Sequence, residues 1–228
     1  MREIVLDTET TGLDPATGDR IVEIGAVELI NHMPTGEVYH QYINPERDMP
    51  AEAFAVHGLS MEFLSDKPVF SRVAKDFLEF IGKSRLIIHN AAFDMKFLNA
   101  ELEWCSQPKI PMGQALDTLA IARKKFAGAQ NSLDALCRRF GIDNSNRTLH
   151  GALLDSEILA EVYLELIGGR QPDFALKVVQ NERADTVGGD YIPAVRPRPL
   201  PAMRSEEETA AHDAFIKALD GDSLWNTD

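Results

Sequence analysis

The sequence predicts an α/β domain, a mixed sheet with helices on its faces, followed by a flexible tail. Three observations carry this. Segments rich in β-branched residues come three in a row at the N-terminus, with spacers too short for a crossover, so they form an antiparallel meander. Downstream, segments of helical period alternate with short apolar runs, the pattern of helices packed on a sheet. Near residue 170 the composition turns to glycine and proline, which ends the compact part.

Taken in order, residues 4–8 read as a strand and 14–19 as a turn, with strands over 20–30 and 36–43. Residues 69–81 have helical period, with Val73, Phe77, Phe80 and Ile81 on one face, and 85–89 form a buried strand. Helices follow over 94–104 (Phe97, Leu98 and Leu102 as the stripe), 115–126, 132–140 and 151–167. Ser132 caps the third of these and Gly141 stops it. Residues 171–204 hold Gly188, Gly189, Pro193, Pro197, Pro199 and Pro201 and read as a linker. Ser205 and three glutamates then open a short amphipathic helix carrying Ala211, Phe215 and Leu219, with Leu224 and Trp225 beyond it. The expected organisation is therefore 1–170, 171–204 and 205–228.

Composition narrows the classes. The 228 residues are 44% apolar and 26% charged, with 23 basic and 36 acidic side chains and a net charge of −13. That balance argues against general adhesion to nucleic acid or anionic membranes. No apolar run approaches a membrane span or a signal peptide, and two cysteines cannot build a disulfide scaffold. A cytoplasmic protein is expected. GxxxxGK and GxGxxG loops are absent, which excludes P-loop and dinucleotide-binding enzymes of the usual kind.

Acidic residues stand where metal-dependent chemistry needs them. Asp7 and Glu9 lie two apart at the end of the first strand, on one face. Two neighbouring carboxylates at a core edge are costly unless a cation compensates, although solvated strand-end acids are the plainer alternative. Asp94 lies between a buried strand and its helix, where ligands gather in open sheets; an N-cap role is its plainer alternative. Asp155 borders the apolar stripe of the last helix, and His150 precedes it by five residues. On an ideal helix that spacing sets them about 140° apart, so they converge only if His150 sits in the preceding loop.

The segments IVLDTETTG, HNAAFDMKFL and HGALLDSEI, in this order, resemble the three motifs of the DEDDh 3′→5′ exonuclease family, over about residues 2–167. The likeness is nearest to the proofreading exonucleases of bacterial replicative polymerases. It implies a ribonuclease-H-like fold with a five-stranded mixed sheet. It also implies that Asp7, Glu9, Asp94 and Asp155 hold two Mg²⁺ or Mn²⁺ ions and that His150 is the general base. Hard cations prefer carboxylate oxygens, and histidine titrates near neutrality, so the residue types suit those roles. Thr8, Thr10, Thr11 and Gly12 match the family loop that lies against the terminal nucleotide. EAFAVHGLS, read as a loop over 52–60, resembles the family's substrate loop, so Glu52 and His57 match its nucleotide contacts, and Phe93 is placed to stack on a base, unless it is core.

The tail resembles known peptides too. Gln171, Phe174 and Leu176 resemble clamp-binding peptides, implying the beta sliding clamp as partner. The C-terminal segment with Phe215, Leu219 and Trp225 resembles a polymerase-binding segment, implying the polymerase alpha subunit. Removal of mismatched 3′ nucleotides is the expected function. An RNA-trimming exonuclease and a non-catalytic scaffold for the polymerase are the alternatives the sequence leaves open.

Overall fold

The computed structural model describes residues 1–145, 147, 149–168 and 205–218. The chain divides into two compact units, Met1–Ala175 and Leu176–Asp228. In the first unit β1 (Arg2–Thr10), β2 (Ile21–Ile30), β3 (Met33–Tyr42), β4 (Arg85–Ile88) and β5 (Ala115–Asp117) form one sheet in the order β3-β2-β1-β4-β5. The first three strands pair antiparallel, as their short spacers require. The other two join parallel to β1 and to each other, each reached through helical crossovers. α1 (Ala51–His57), α2 (Met61–Leu64) and α3 (Phe70–Ile81) lead into β4, and α4 (Ala91–Trp104) leads into β5. α5 (Thr118–Lys125), α6 (Leu133–Phe140) and α7 (Ala152–Leu166) follow.

Three local expectations need correction. Residues 115–126 read as one helix, but the first three form β5, in register with Leu86–Ile88 of β4. Three residues carry too little local signal for a strand, and pairing with a buried neighbour decides the matter. Asp117 then caps α5, accepting the Leu119 N–H at 2.9 Å. Residues 52–57 read as loop but form most of α1, ended by Gly58 in the left-handed region at φ 72°. α4 begins three residues earlier than the apolar stripe suggests, so Asp94 lies within its first turn and Asn90 is the N-cap.

Alternation along β1 sets the site. Ile4 and Leu6 pack with Phe77 of α3 and with Phe97 and Leu98 of α4 on one face of the sheet. Val5 packs on the other face with Leu136 of α6 and with Leu159 and Val162 of α7. By the same period of two, Thr8 faces the α4 side while Asp7 and Glu9 face the α7 side. α7 comes very close to the sheet because β2 carries Gly25, where any Cβ would collide with the Ala152 main chain. Ser156 Oγ seals this contact by donating to the Gly25 carbonyl at 2.9 Å.

In the second unit, α8 (Glu206–Ala218) starts with a reciprocal cap. The Glu208 N–H donates to Ser205 Oγ at 3.1 Å, and the Ser205 N–H donates to Glu208 Oε2 at 2.8 Å. Among the described residues no helix is long and apolar enough to cross a membrane.

Candidate active site

The acids predicted from sequence meet in one cleft of about 320 Å³, lined by Asp7, Glu9, Asp94, His150 and Asp155 together with Phe93. Each arrives for a local reason. Asp7 and Glu9 are carried past the core by β1. Asp94 does not cap α4; its Oδ1 reaches across to β1, accepting the Thr8 N–H at 3.1 Å and the Thr8 hydroxyl at 2.8 Å. Asp155 lies in the first turn of α7. His150 precedes that helix, and its N–H donates to the Val56 carbonyl at 3.1 Å, so the loop is anchored on α1. Freed from the helical 140°, the imidazole Nδ1 comes within 3.3 Å of Asp155 Oδ2. Donor atoms of Glu9, His150 and Asp155 lie within 4.8 Å of one another.

The electrostatics describe a site short of positive charge. Burial, then Asp94, Glu9 and Asp155, push the Asp7 carboxyl well above the usual range. Burial together with Asp155, Glu23 and Asp94 pushes Glu9 up to about 8. Burial lifts Asp94 to about 7 against the hydrogen bonds from Thr8. Asp155 goes the other way: burial raises it, but hydrogen bonds from His150 and Arg147 outweigh that and hold it below the ordinary value.

Arg147 is the residue that the sequence reading missed. Its side chain is only 8% exposed. Nε bonds Asp155 Oδ1, Nη2 donates to Asp155 Oδ2 at 2.6 Å, and Nη1 donates to Asp134 Oδ1 at 2.8 Å. Nη2 also lies 2.7 Å from His150 Nδ1. The available signal was its place three residues before His150, just ahead of the segment HGALLDSEI.

A second cleft of about 530 Å³ adjoins the first, sharing Thr8, Glu9 and Phe93 with it. Thr10, Thr11, Gly12, Glu52 and His57 line it, so the residues expected to meet a nucleotide do gather beside the acids. Thr10 Oγ1 donates to the Gly12 carbonyl at 2.6 Å, and the Arg20 N–H donates to Thr11 Oγ1 at 3.0 Å, which fixes the turn after β1. His57 Nδ1 accepts the Leu59 N–H at 3.0 Å, which leaves the proton of the neutral ring on Nε2. That Nε2 is buried and has no hydrogen-bond partner among the described residues. Burial lowers its pKa, partly offset by the Thr10 main chain. Phe93 is half-buried, its ring 5.0 Å from that of Phe97, so it joins core packing to exposure in both clefts. Of the tail residues, Gln171, Phe174, Leu176, Leu219 and Trp225 lie outside the described residues; Phe215 is on α8 and 63% exposed.

The sequence matches the exonuclease family (RNase_T) over residues 4–163. It is 59% identical to the DNA polymerase III subunit epsilon of Rickettsia prowazekii, over 96% of this chain and 97% of the relative. It is 44% identical to the subunit of the same name from Escherichia coli K12, over 98% and 97%. Among solved structures, exonuclease X in complex with 5′ overhanging duplex DNA is similar at a TM-score of 0.58 and 26% identity, covering 72% of this chain and 90% of that one. The nuclease domain of 3′hExo, a DEDDh family member bound to rAMP, has the same fold at a TM-score of 0.63 and 20% identity, covering 73% and 91%.

Proposed function

Because this chain belongs to the exonuclease family, within the group of DNA polymerase III epsilon subunits, we propose that it removes mismatched nucleotides from DNA 3′ ends by metal-assisted hydrolysis. The carrying observation is the convergence of Asp7, Glu9, Asp94 and Asp155 with His150 in one cleft. The donor set fits divalent cations: it is carboxylate oxygen and imidazole nitrogen, without thiolate, and burial together with neighbouring carboxylates pushes two of its acids up to about 7 and 8, a cost that a bound cation would offset. Asp7, Glu9, Asp94 and Asp155 would hold two Mg²⁺ or Mn²⁺ ions. Such ions, when bound, supply water activation and stabilisation of the leaving 3′-oxygen.

The other parts follow from this chain's own groups. His150 is half-exposed at the mouth of the cleft, where its imidazole takes the proton of the attacking water. Asp155 and Arg147, both in contact with Nδ1, set the direction of that ring. The adjoining cleft takes the terminal nucleotide. Glu52 and His57, which line that cleft, contact the nucleotide, and Phe93 offers its ring for a base to stack on. Nothing in this arrangement reads sequence, which suits an enzyme that must accept any mismatched end. Such ends unpair more cheaply than matched ones.

For the tail, residues 171–176 bind the beta clamp and the segment with Phe215, Leu219 and Trp225 binds the polymerase alpha subunit. For the second contact the support is the exposed Phe215 on a capped helix too small to bury it; for the first it is the likeness of Gln171, Phe174 and Leu176 to clamp-binding peptides.

The test is release of a 3′-labelled mismatched nucleotide with Mg²⁺. We expect EDTA to abolish it and Asp155→Ala to reduce it by about 10³-fold, with the variant still folded. Full activity of Asp155→Ala would overturn the assignment. A strong preference for a matched RNA strand over DNA would favour the RNA-trimming reading.

A further inference from the structure

A cleft of about 610 Å³ lies beside the active site and shares two of its walls, His89 and Ser132. Its other lining includes Arg123 and Asn131. The stretch 123–139 carries five cations, Arg123, Lys124, Lys125, Arg138 and Arg139, against one acid, Asp134, in a chain of net charge −13. All five are exposed. Among the described residues none of them forms an ion pair, and the single acid is already bound to Arg147.

The patch is built rather than scattered. Arg139 lies over the Phe126 ring at 4.3 Å and donates to the Gln130 carbonyl at 3.3 Å. The Phe126 and Phe140 rings are 5.9 Å apart, which ties the end of α5 to the end of α6. His89 bonds the carbonyl of Asn131 at 2.9 Å from the other side, with its second nitrogen 2.9 Å from Thr118 Oγ1. The loop between α5 and α6 is therefore fixed to the strand end that carries the active-site wall. Cations in a last helical turn complement the helix dipole, which explains their place along each helix. It does not explain why two such turns are gathered around one loop that also borders the active-site cleft.

We propose that this basic face is a binding track for the sugar-phosphate backbone of a single strand whose 3′ end occupies the active site. The inference rests on the exonuclease reading of the acidic cleft and extends it to nucleotides upstream of the bond that is cut. An acidic site repels the polyanion it must hold, and a separate cationic track beside it supplies the attraction. Arg123 and Arg139 form the inner part of the track, with Lys124, Lys125 and Arg138 outside.

The test uses the full chain carrying Arg123→Glu, Lys124→Glu and Arg138→Glu together, leaving Arg139 to hold the loop. Binding of a fluorescein-labelled fifteen-nucleotide oligothymidylate is measured by anisotropy in EDTA across a salt series. Hydrolysis of the p-nitrophenyl ester of thymidine 5′-monophosphate, a substrate with no upstream phosphates, is measured with Mn²⁺. We expect the oligonucleotide Kd to rise at least tenfold and the slope of log K against log salt to become shallower by about 2, as loss of three phosphate contacts requires. Ester hydrolysis stays within twofold. Unchanged Kd and salt slope with intact ester hydrolysis would overturn the proposal. So would loss of binding to the polymerase alpha subunit alone, which would assign the face to an acidic protein. If the triple variant fails to fold, the set Arg123→Gln, Lys124→Gln and Arg138→Gln must still weaken oligonucleotide binding severalfold, and no change there sinks the proposal. Absence of ester hydrolysis by the unaltered chain would count against the catalytic reading, while the anisotropy measurement still judges the track.

Discussion

Glu9 at about 8 and Asp94 at about 7 determine how the metal-free protein responds to pH. A carboxyl whose pKa is higher folded than unfolded keeps more proton in the folded state between the two values. Its contribution is complete below the unfolded pKa, near 4, and is lost as pH rises through the folded one. In EDTA the melting temperature therefore falls between about pH 4.5 and 8, and calorimetry at several pH values checks this. Cations that replace those protons bind more tightly as pH rises, so the Mn²⁺-induced gain in melting temperature grows across the same window. A gain independent of pH would contradict the assignment of Glu9 and Asp94 as ligands. Arg147 gives the matching prediction. Arg147→Met leaves Asp155 buried without its cationic partner, at a cost of about 3 kcal/mol. In a domain of this size that is roughly 6–12 °C of melting temperature in EDTA. Saturating Mn²⁺ restores part of the loss, because the metal supplies the missing charge. Asp7, Glu9, Asp94, His150 and Asp155 were legible because IVLDTETTG, HNAAFDMKFL and HGALLDSEI carry them in an order that resembles one family; singly, each acid also had a plain structural use as a solvated strand-end acid or a helix cap. Arg147 was not, because an isolated arginine in a loop looks the same in sequence whether it faces solvent or a buried carboxylate.

At the scale of elements, the approach of α7 to β2 is the joint on which the third motif hangs. Gly25 permits it and Ser156 holds it. Gly25→Ala forces a methyl against the Ala152 main chain and costs about 2 kcal/mol or more. Because Asp155 follows Ala152 within one turn, the same change displaces a carboxylate proposed above as a ligand. Exonuclease kcat then falls further than the stability loss alone explains, which a comparison at a temperature where the variant remains folded will show. Ser156→Ala removes one hydrogen bond without crowding and costs about 1 kcal/mol, with kcat nearly kept. The meander of β1–β3 and the amphipathic α3 were readable from period and spacing. β5 was not: Ala115, Leu116 and Asp117 become a strand only because β4 offers them an edge. α1 was hidden for a similar reason, since Ala51–His57 exposes Phe54 and Val56 and has no full apolar stripe to betray it.

For the whole molecule, the sheet, both core clusters and every residue of the two adjoining clefts lie within the first unit, Met1–Ala175. A chain ending at residue 175 should therefore melt within about 2 °C of the full chain and release mismatched nucleotides at an unchanged kcat. It should lose association with the polymerase alpha subunit in a pull-down, if the segment after 205 carries that contact. A truncated chain that is unfolded or inactive would overturn this division of labour. The charge of −13 was a poor guide to the partner when taken as one number, because it averages the acids of one cleft with a basic face at 123–139.

The position of Asp155 on α7, the last helix of the first unit, bears on how the protein is made. Chains emerge N-terminus first, and domains fold as units during synthesis. β1 delivers Asp7 and Glu9 at the start, but they stay without Asp155 until α7 has been synthesised and has settled over Gly25. Under the proposed mechanism the nascent chain stays catalytically silent until its domain is complete, and a half-made copy does not degrade DNA ends.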